Sequence, residues 1–126
     1  MRIAELIGYQ LVSIDDEKIV VKKDGNTYTL HIVEDEGGCC GFNEIETSLF
    51  ISNEELNRNP IITNVSMEVS DDEDESEEKC KVTFFGEAKE LARVNTLSSS
   101  GSGWSYGATV SLVCDALELD ETLSSW

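Results

Sequence analysis

"KIVVKKDGNTYTLHIV", residues 18–33, decides the fold class. Asp24-Gly25 lies between two runs rich in β-branched residues. Such a pair signals a tight hairpin, because glycine accepts the positive φ that the turn demands. After the turn, Tyr28, Leu30 and Ile32 fall on one face, and Thr27, Thr29 and His31 on the other. A period of two describes a strand buried on one side. Upstream, "YQLVSID" (9–15) leads through the acidic turn of Asp15, Asp16 and Glu17 into the same hairpin. The N-terminal third is thus predicted to be a three-stranded antiparallel meander, preceded by a helical turn over "IAELIG" (3–8) that Gly8 closes.

The same reading extends to the rest of the chain. "NEIETSLFI" (43–51) predicts a strand, and "SNEELN" (52–57) one helical turn, with Ser52 as N-cap, Glu55 at the capping-box position and Asn59-Pro60 as terminator. "IITNVSMEV" (61–69) and "KCKVTFF" (79–85) are strand-like, with the acidic run "DDEDESEE" (71–78) as the tip of the hairpin between them. "AKELARV" (88–94) has a helical composition but also an alternating pattern, and the turn offered by Gly86 favours a strand. "SSSGSGWSYG" (98–107) reads as a glycine-serine turn and "ATVSLVCDAL" (108–117) as a last strand, with Val110, Leu112 and Cys114 on one face. "ELDETLSSW" (118–126) reads as an acidic tail or helical turn whose Trp126 docks on the body. About seven short strands at near-regular spacing predict one domain over 1–126, all-β or β-rich α+β: an antiparallel sandwich or small barrel built of hairpins.

With 126 residues, 40% of them apolar, the chain is long enough to bury a core without staples. Its 26 acids against nine bases give a formal charge of -17. Such a field repels nucleic acid and anionic membranes and attracts basic protein surfaces. The run at 71–78 supplies only seven of the 26 acids, so acidity belongs to the whole surface. No secretion signal and no transmembrane span is read from the sequence. Cys39, Cys40, Cys80 and Cys114 are therefore expected as reduced, packed thiols of a cytoplasmic protein.

Catalytic signals are weak. His31, the single histidine, falls on the polar face of its strand. "GWSYG" (103–107) matches a nucleophile elbow in spacing, but a strand follows it instead of a helix. The acidic run lacks the sixth-position glycine of a calcium loop, and the cysteines lack paired C-x-x-C spacing for zinc. No metal, cofactor or catalytic residue is expected. Carboxylates two apart on an extended strand sit about 7 Å apart, a spacing comparable to that of phosphates along a nucleic-acid strand.

"LIG" (6–8), "KKDGNTYTLHI" (22–32), the double cysteine of "EDEGGCCG" (34–41) and "SSSGSGWSYGA" (98–108) together resemble small, uncharacterised proteins of phages and prophages. The resemblance implies a stoichiometric accessory protein acting against bacterial defence in the host cytoplasm; it brings no catalytic residues with it. Two mechanisms follow. In the first, an acidic surface binds and inhibits a nucleic-acid-handling defence protein, a CRISPR or restriction nuclease, without touching nucleic acid or membrane. Asp71, Asp72, Glu73, Asp74, Glu75, Glu77 and Glu78 are the expected contacts, with Asp15, Asp16 and Glu17. In the second, the protein is a sponge for a nucleotide immune signal, as in Thoeris anti-defence, using Ser98, Ser99, Ser100, Trp104 and Tyr106 with Arg58 or Arg93. A structural or regulatory phage role is the third expectation.

Overall fold

The computed structural model describes residues 1–36, 41–74, 76–100 and 108–126. Among these residues, nine strands form two antiparallel sheets. The chain enters through a 3₁₀ turn at Ile3–Leu6, and Gly8 follows with φ +97°. β1 (Gln10–Ile14), β2 (Lys18–Lys23) and β3 (Asn26–Asp35) make the predicted meander. Its hairpin turn places Asp24 and Gly25 at φ 53° and 81°, the conformation that glycine tolerates best.

β4 (Phe42–Leu49) opens the second sheet and leads to α1 (Asn53–Asn57), where the Ser52 hydroxyl accepts the Glu55 N–H as predicted. β5 (Asn64–Asp72), β6 (Glu77–Gly86) and β7 (Lys89–Ser99) follow as consecutive hairpins. The turn comes one residue after Gly86, at Glu87 and Ala88 (φ 64° at Ala88), and 89–99 is a strand. The chain then returns to the first sheet with β8 (Thr109–Cys114) and β9 (Leu119–Ser125). Strand order is β1-β2-β3-β8-β9 in one sheet and β4-β7-β6-β5 in the other. The architecture is a β-sandwich; neither sheet closes into a barrel.

The inward faces supply the core. Leu11, Ile19, Val21, Leu30, Val110 and Leu112 meet Val82, Phe84, Ala92 and Val94, with Leu6 and Ile62 closing one side. Burying each of the larger side chains contributes about 1.5–3 kcal/mol, and this drives the two sheets together. One polar seam crosses the core. The Thr96 hydroxyl donates to Ser124 Oγ at 2.9 Å, the Ser98 and Ser124 hydroxyls lie 2.7 Å apart, and Ser98 donates to Asn43 Oδ1 at 2.7 Å.

The structure corrects three expectations. Residues 118–126 are not a tail: Leu119–Ser125 is a full strand, and Trp126 exchanges two backbone hydrogen bonds with Ala108. The reason is packing, since Leu119 and Leu123 are buried against β8 and its neighbours. Ser98 and Ser99 belong to β7 and are buried, as is Ser100, so these serines are not turn residues. The acidic run is also not wholly a hairpin tip, because β5 extends through Asp72 and β6 begins at Glu77.

Candidate functional site

The acidic run folds as a ladder closed by a short turn. Asp71 pairs with Glu78 and Asp72 with Glu77, two like-charged cross-strand pairs in succession. Directly opposed like charges destabilise a ladder, so the neighbouring hairpin rows hold this pairing in place. Ser76, the one uncharged residue of the run, takes the left-handed conformation at φ 52°, and its carbonyl accepts the Ser100 N–H at 3.2 Å. Asp72 Oδ1 accepts the Asp74 N–H at 3.1 Å inside the turn. Glu75 lies outside the described residues.

The two pairs point to opposite faces. Asp71 and Glu78 share the parity of Cys80 and Val82 and face inward, whereas Asp72 and Glu77 face outward. Glu78 Oε1 accepts the Ser125 N–H at 3.0 Å. Partial burial, reinforced by Asp71 opposite, pushes the Glu78 carboxyl above the usual carboxylate range, although the Ser125 hydrogen bond opposes the shift. On the outer side, Lys79 approaches Glu77 at 3.7 Å and Lys81 approaches Glu68 at 3.2 Å.

Topology brings further carboxylates to this end. Asp35, at the end of β3, aligns with Thr109 of β8, which aligns with Ser125 of β9. Two strand spacings, about 10 Å, therefore separate Asp35 from the residue that donates to Glu78. The Asn43 side-chain amide donates to the carbonyls of Asp35 and Thr109, both at 3.3 Å, fixing β3 to β4 here. Glu34, Asp35 and Glu36 thus join residues 71–74 and 76–78 as one acidic pole of the sandwich, with Glu44 on adjacent β4. Sequence reading missed 34–36 because only the β3–β8–β9 pairing places these residues there.

Asp15, Asp16 and Glu17 lie elsewhere. Asp15 Oδ1 accepts the N–H groups of Glu17 and Lys18 at 2.8 and 2.9 Å, closing the β1–β2 turn. Asp16 Oδ1 accepts both the N–H (3.0 Å) and the hydroxyl (2.6 Å) of Thr47 on β4. Thr47 is five residues along β4 from Phe42, which lies in the row of Glu77, roughly 16 Å away along the strand. This turn clasps the two sheets and sits apart from the pole.

Among the described residues expected to hold a nucleotide, Ser98, Arg93 and Arg58 do not converge. Ser98 faces the core. Arg93 faces outward five residues away, with its guanidinium held by Glu90 at 3.1 Å, by Thr83 at 3.2 Å and over the Phe50 ring. Arg58 lies after α1 and pairs with Glu54 at 3.4 Å. Trp104 and Tyr106 lie outside the described residues, as do Cys39, Cys40 and the "GWSYG" segment. His31 is exposed on the outer face of the first sheet, whereas Cys80 and Cys114 are buried. Burial, with Glu78 and Glu121 nearby, pushes the Cys80 thiol up to about 12.

The outer face of the second sheet forms a shallow groove of about 790 Å³. Asn95, Leu97, Lys79 and Lys81 make its floor, with Glu44 and Glu46 on one wall and Glu68 and Ser70 on the other. Among the described residues, no three His, Cys, Asp or Glu side chains are grouped so as to hold a metal ion. No helix among them is long and apolar enough to cross a membrane.

No curated protein and no solved structure matches the chain. A family model does match residues 4–112, which span β1 to β7 and most of β8, and the chain belongs to that family, described as Domain of unknown function (DUF7448).

Proposed function

We propose that this protein is a non-catalytic binding module whose acidic pole engages a basic protein surface. The partner we favour is a nucleic-acid-handling protein, such as a CRISPR or restriction nuclease met in the host cytoplasm, in keeping with the phage resemblance. The observation that carries the reading is the gathering of residues 34–36, 71–74 and 76–78 at one end of the sandwich. Carboxylates closer together than the screening length of about 8–10 Å add their fields and act as one anionic surface. A surface of that sign excludes nucleic acid and steers basic partners in, raising association rates above the roughly 10⁵–10⁶ M⁻¹s⁻¹ of neutral pairs. A nuclease channel built for phosphates presents the complementary positive field.

The test is competition for DNA. Added to a panel of CRISPR and restriction nucleases, the protein is expected to displace DNA from at least one, with an association rate that falls steeply with salt. A variant with Asp71, Asp72, Glu73, Asp74 and Glu77 changed to the corresponding amides is expected to lose that displacement. Equal association rates and equal salt slopes for the variant and the native chain would refute the reading.

A further inference from the structure

Each sheet of a sandwich ends in two edge strands, and an uncovered edge offers unpaired N–H and C=O groups to another chain. Among the described residues, backbone contacts fall on three of the four edges. Along β1, the Leu11 N–H donates to the Pro60 carbonyl at 2.9 Å, and Gln10 bridges to Ile61. On β4, the Thr47 N–H donates to Asp16. On β9, the Ser125 N–H donates to Glu78; the Glu121 side-chain carboxylate accepts the Ile3 N–H at 2.7 Å, and the N-terminal amine donates to the Glu118 carbonyl just before the strand.

The fourth edge is different. Among the described residues, β5 pairs only with β6, in unbroken register over nine residues. The Val65 N–H turns away from β6 to its neighbour's Asn64 Oδ1 at 2.9 Å. In an antiparallel ladder every second residue points its backbone groups the same way. Met67, Val69 and Asp71 therefore present theirs outward, with no backbone partner among the described residues. Beside them lies a cavity of about 310 Å³, lined by Ile3, Ala4, Val65, Met67, Val69 and the Arg2–Glu121 pair. Val69, at its mouth, is 51% exposed.

We infer that the β5 edge is a docking site for an extended peptide of alternating basic and apolar residues, which adds a fifth strand to the β4-β7-β6-β5 sheet. Backbone hydrogen bonds to Met67, Val69 and Asp71 supply affinity, and alternate side chains supply selection. Apolar side chains of the peptide enter the cavity beside Val65, Met67 and Val69. Those on the other face meet Ser66, Glu68, Ser70 and Asp72, where a lysine or arginine shares the Glu68 carboxylate with Lys81 of β6. A second copy of this chain fits poorly, because antiparallel pairing of two β5 edges brings Glu68, Asp71 and Asp72 of both copies together. The inference takes the sign of the partner's charge from the acidic-pole reading, but its geometry rests on β5 alone.

The test uses the full chain and a fluorescent peptide alternating lysine and valine, with a control peptide carrying the same residues in two blocks. Anisotropy is expected to show the alternating peptide binding about tenfold more tightly, the ratio that one well-made hydrogen bond or apolar contact supplies. Val69→Pro removes an outward donor and leaves the β6 ladder intact, and Val69→Lys places a like charge at the cavity mouth. Both are expected to weaken binding of the alternating peptide about tenfold or more, and hydrogen exchange at Met67, Val69 and Asp71 is expected to slow when that peptide binds. Equal affinity for the two peptides, or unchanged affinity in both variants, overturns the inference, as does a native dimer that Val69→Lys dissolves. If the amide variant of the pole loses nuclease displacement while both Val69 variants bind the peptide normally, the edge is refuted and the pole stands. If the Val69 variants lose the peptide while the amide variant still displaces DNA, the pole reading fails and the edge stands.

Discussion

Ser124 is the residue on which the two sheets' polar contact turns, and its removal has a calculable cost. Its hydroxyl is fully buried, 2.9 Å from Thr96 Oγ1 and 2.7 Å from Ser98 Oγ. Ser98 keeps a second partner in Asn43, but Thr96 has no other side-chain acceptor in this seam. Ser124→Ala therefore strands a buried donor, at a cost of about 1–3 kcal/mol. For a domain of this size that lowers Tm by about 4 °C per kcal/mol. Thr96→Val is milder, because Ser124 retains Ser98. With both changed, the stranded donor is gone, and the double variant should recover about 1 kcal/mol relative to the sum of the singles. Urea denaturation of the four proteins, read as shifts in midpoint at constant slope, measures the cycle. Costs that add within about 0.5 kcal/mol would refute the argument, as would a Thr96→Val cost above that of Ser124→Ala.

Four other outcomes follow from the geometry. Because the Glu78 carboxyl is raised in the folded state, the fold holds its proton at a pH where the unfolded chain has released it. Stability from this group is lost as pH rises through the folded value, so Glu78→Gln should be more stable than the native chain near pH 7 and show a shallower rise in Tm on acidification. Phe84→Ala should cost about 3–5 kcal/mol in chemical denaturation, since the ring is wholly buried between the sheets. Asp16→Ala should lose about 1–2 kcal/mol with its two Thr47 hydrogen bonds, yet leave salt-dependent association with a basic partner unchanged. The Cys80 thiol, buried and raised to about 12, should react with a thiol reagent only after unfolding.

The parts legible in the sequence are those set by neighbours along the chain. The Asp24-Gly25 hairpin, the Ser52 cap and the parity of Leu30, Val110 and Leu112 all appear where local chemistry places them. β9 escaped because acids at 118, 120 and 121 dominate its composition, and the bulge at Leu123 turns both Leu123 and Ser124 inward, which interrupts strict alternation at the strand's end. The acidic ladder escaped for a related reason. Aspartate and glutamate disfavour strands by propensity, and only the pairing of "IITNVSMEV" with "KCKVTFF" carries the ladder into them. The pole was half legible: 71–78 announces itself, whereas 34–36 joins through β8 and β9, which sequence spacing does not reveal. Asp16 was visible as charge, but its hydrogen bonds to Thr47 were not.

The strand order has a consequence for how the chain is made. β4 to β7 form a complete sheet from one continuous segment, inserted between two parts of another. During synthesis the meander emerges first, but the partner of Ile32 is Leu112, far downstream. Until β8 arrives, β3 has one bare flank, while the whole intervening sheet can already assemble from its own hairpins. Closing a long loop is slow relative to forming hairpins, so β8 and β9 are the last pieces set in place. An interrupted ribosome would release a molecule with one finished sheet and one open one, and that half-built form is where chaperone capture or misassociation would begin.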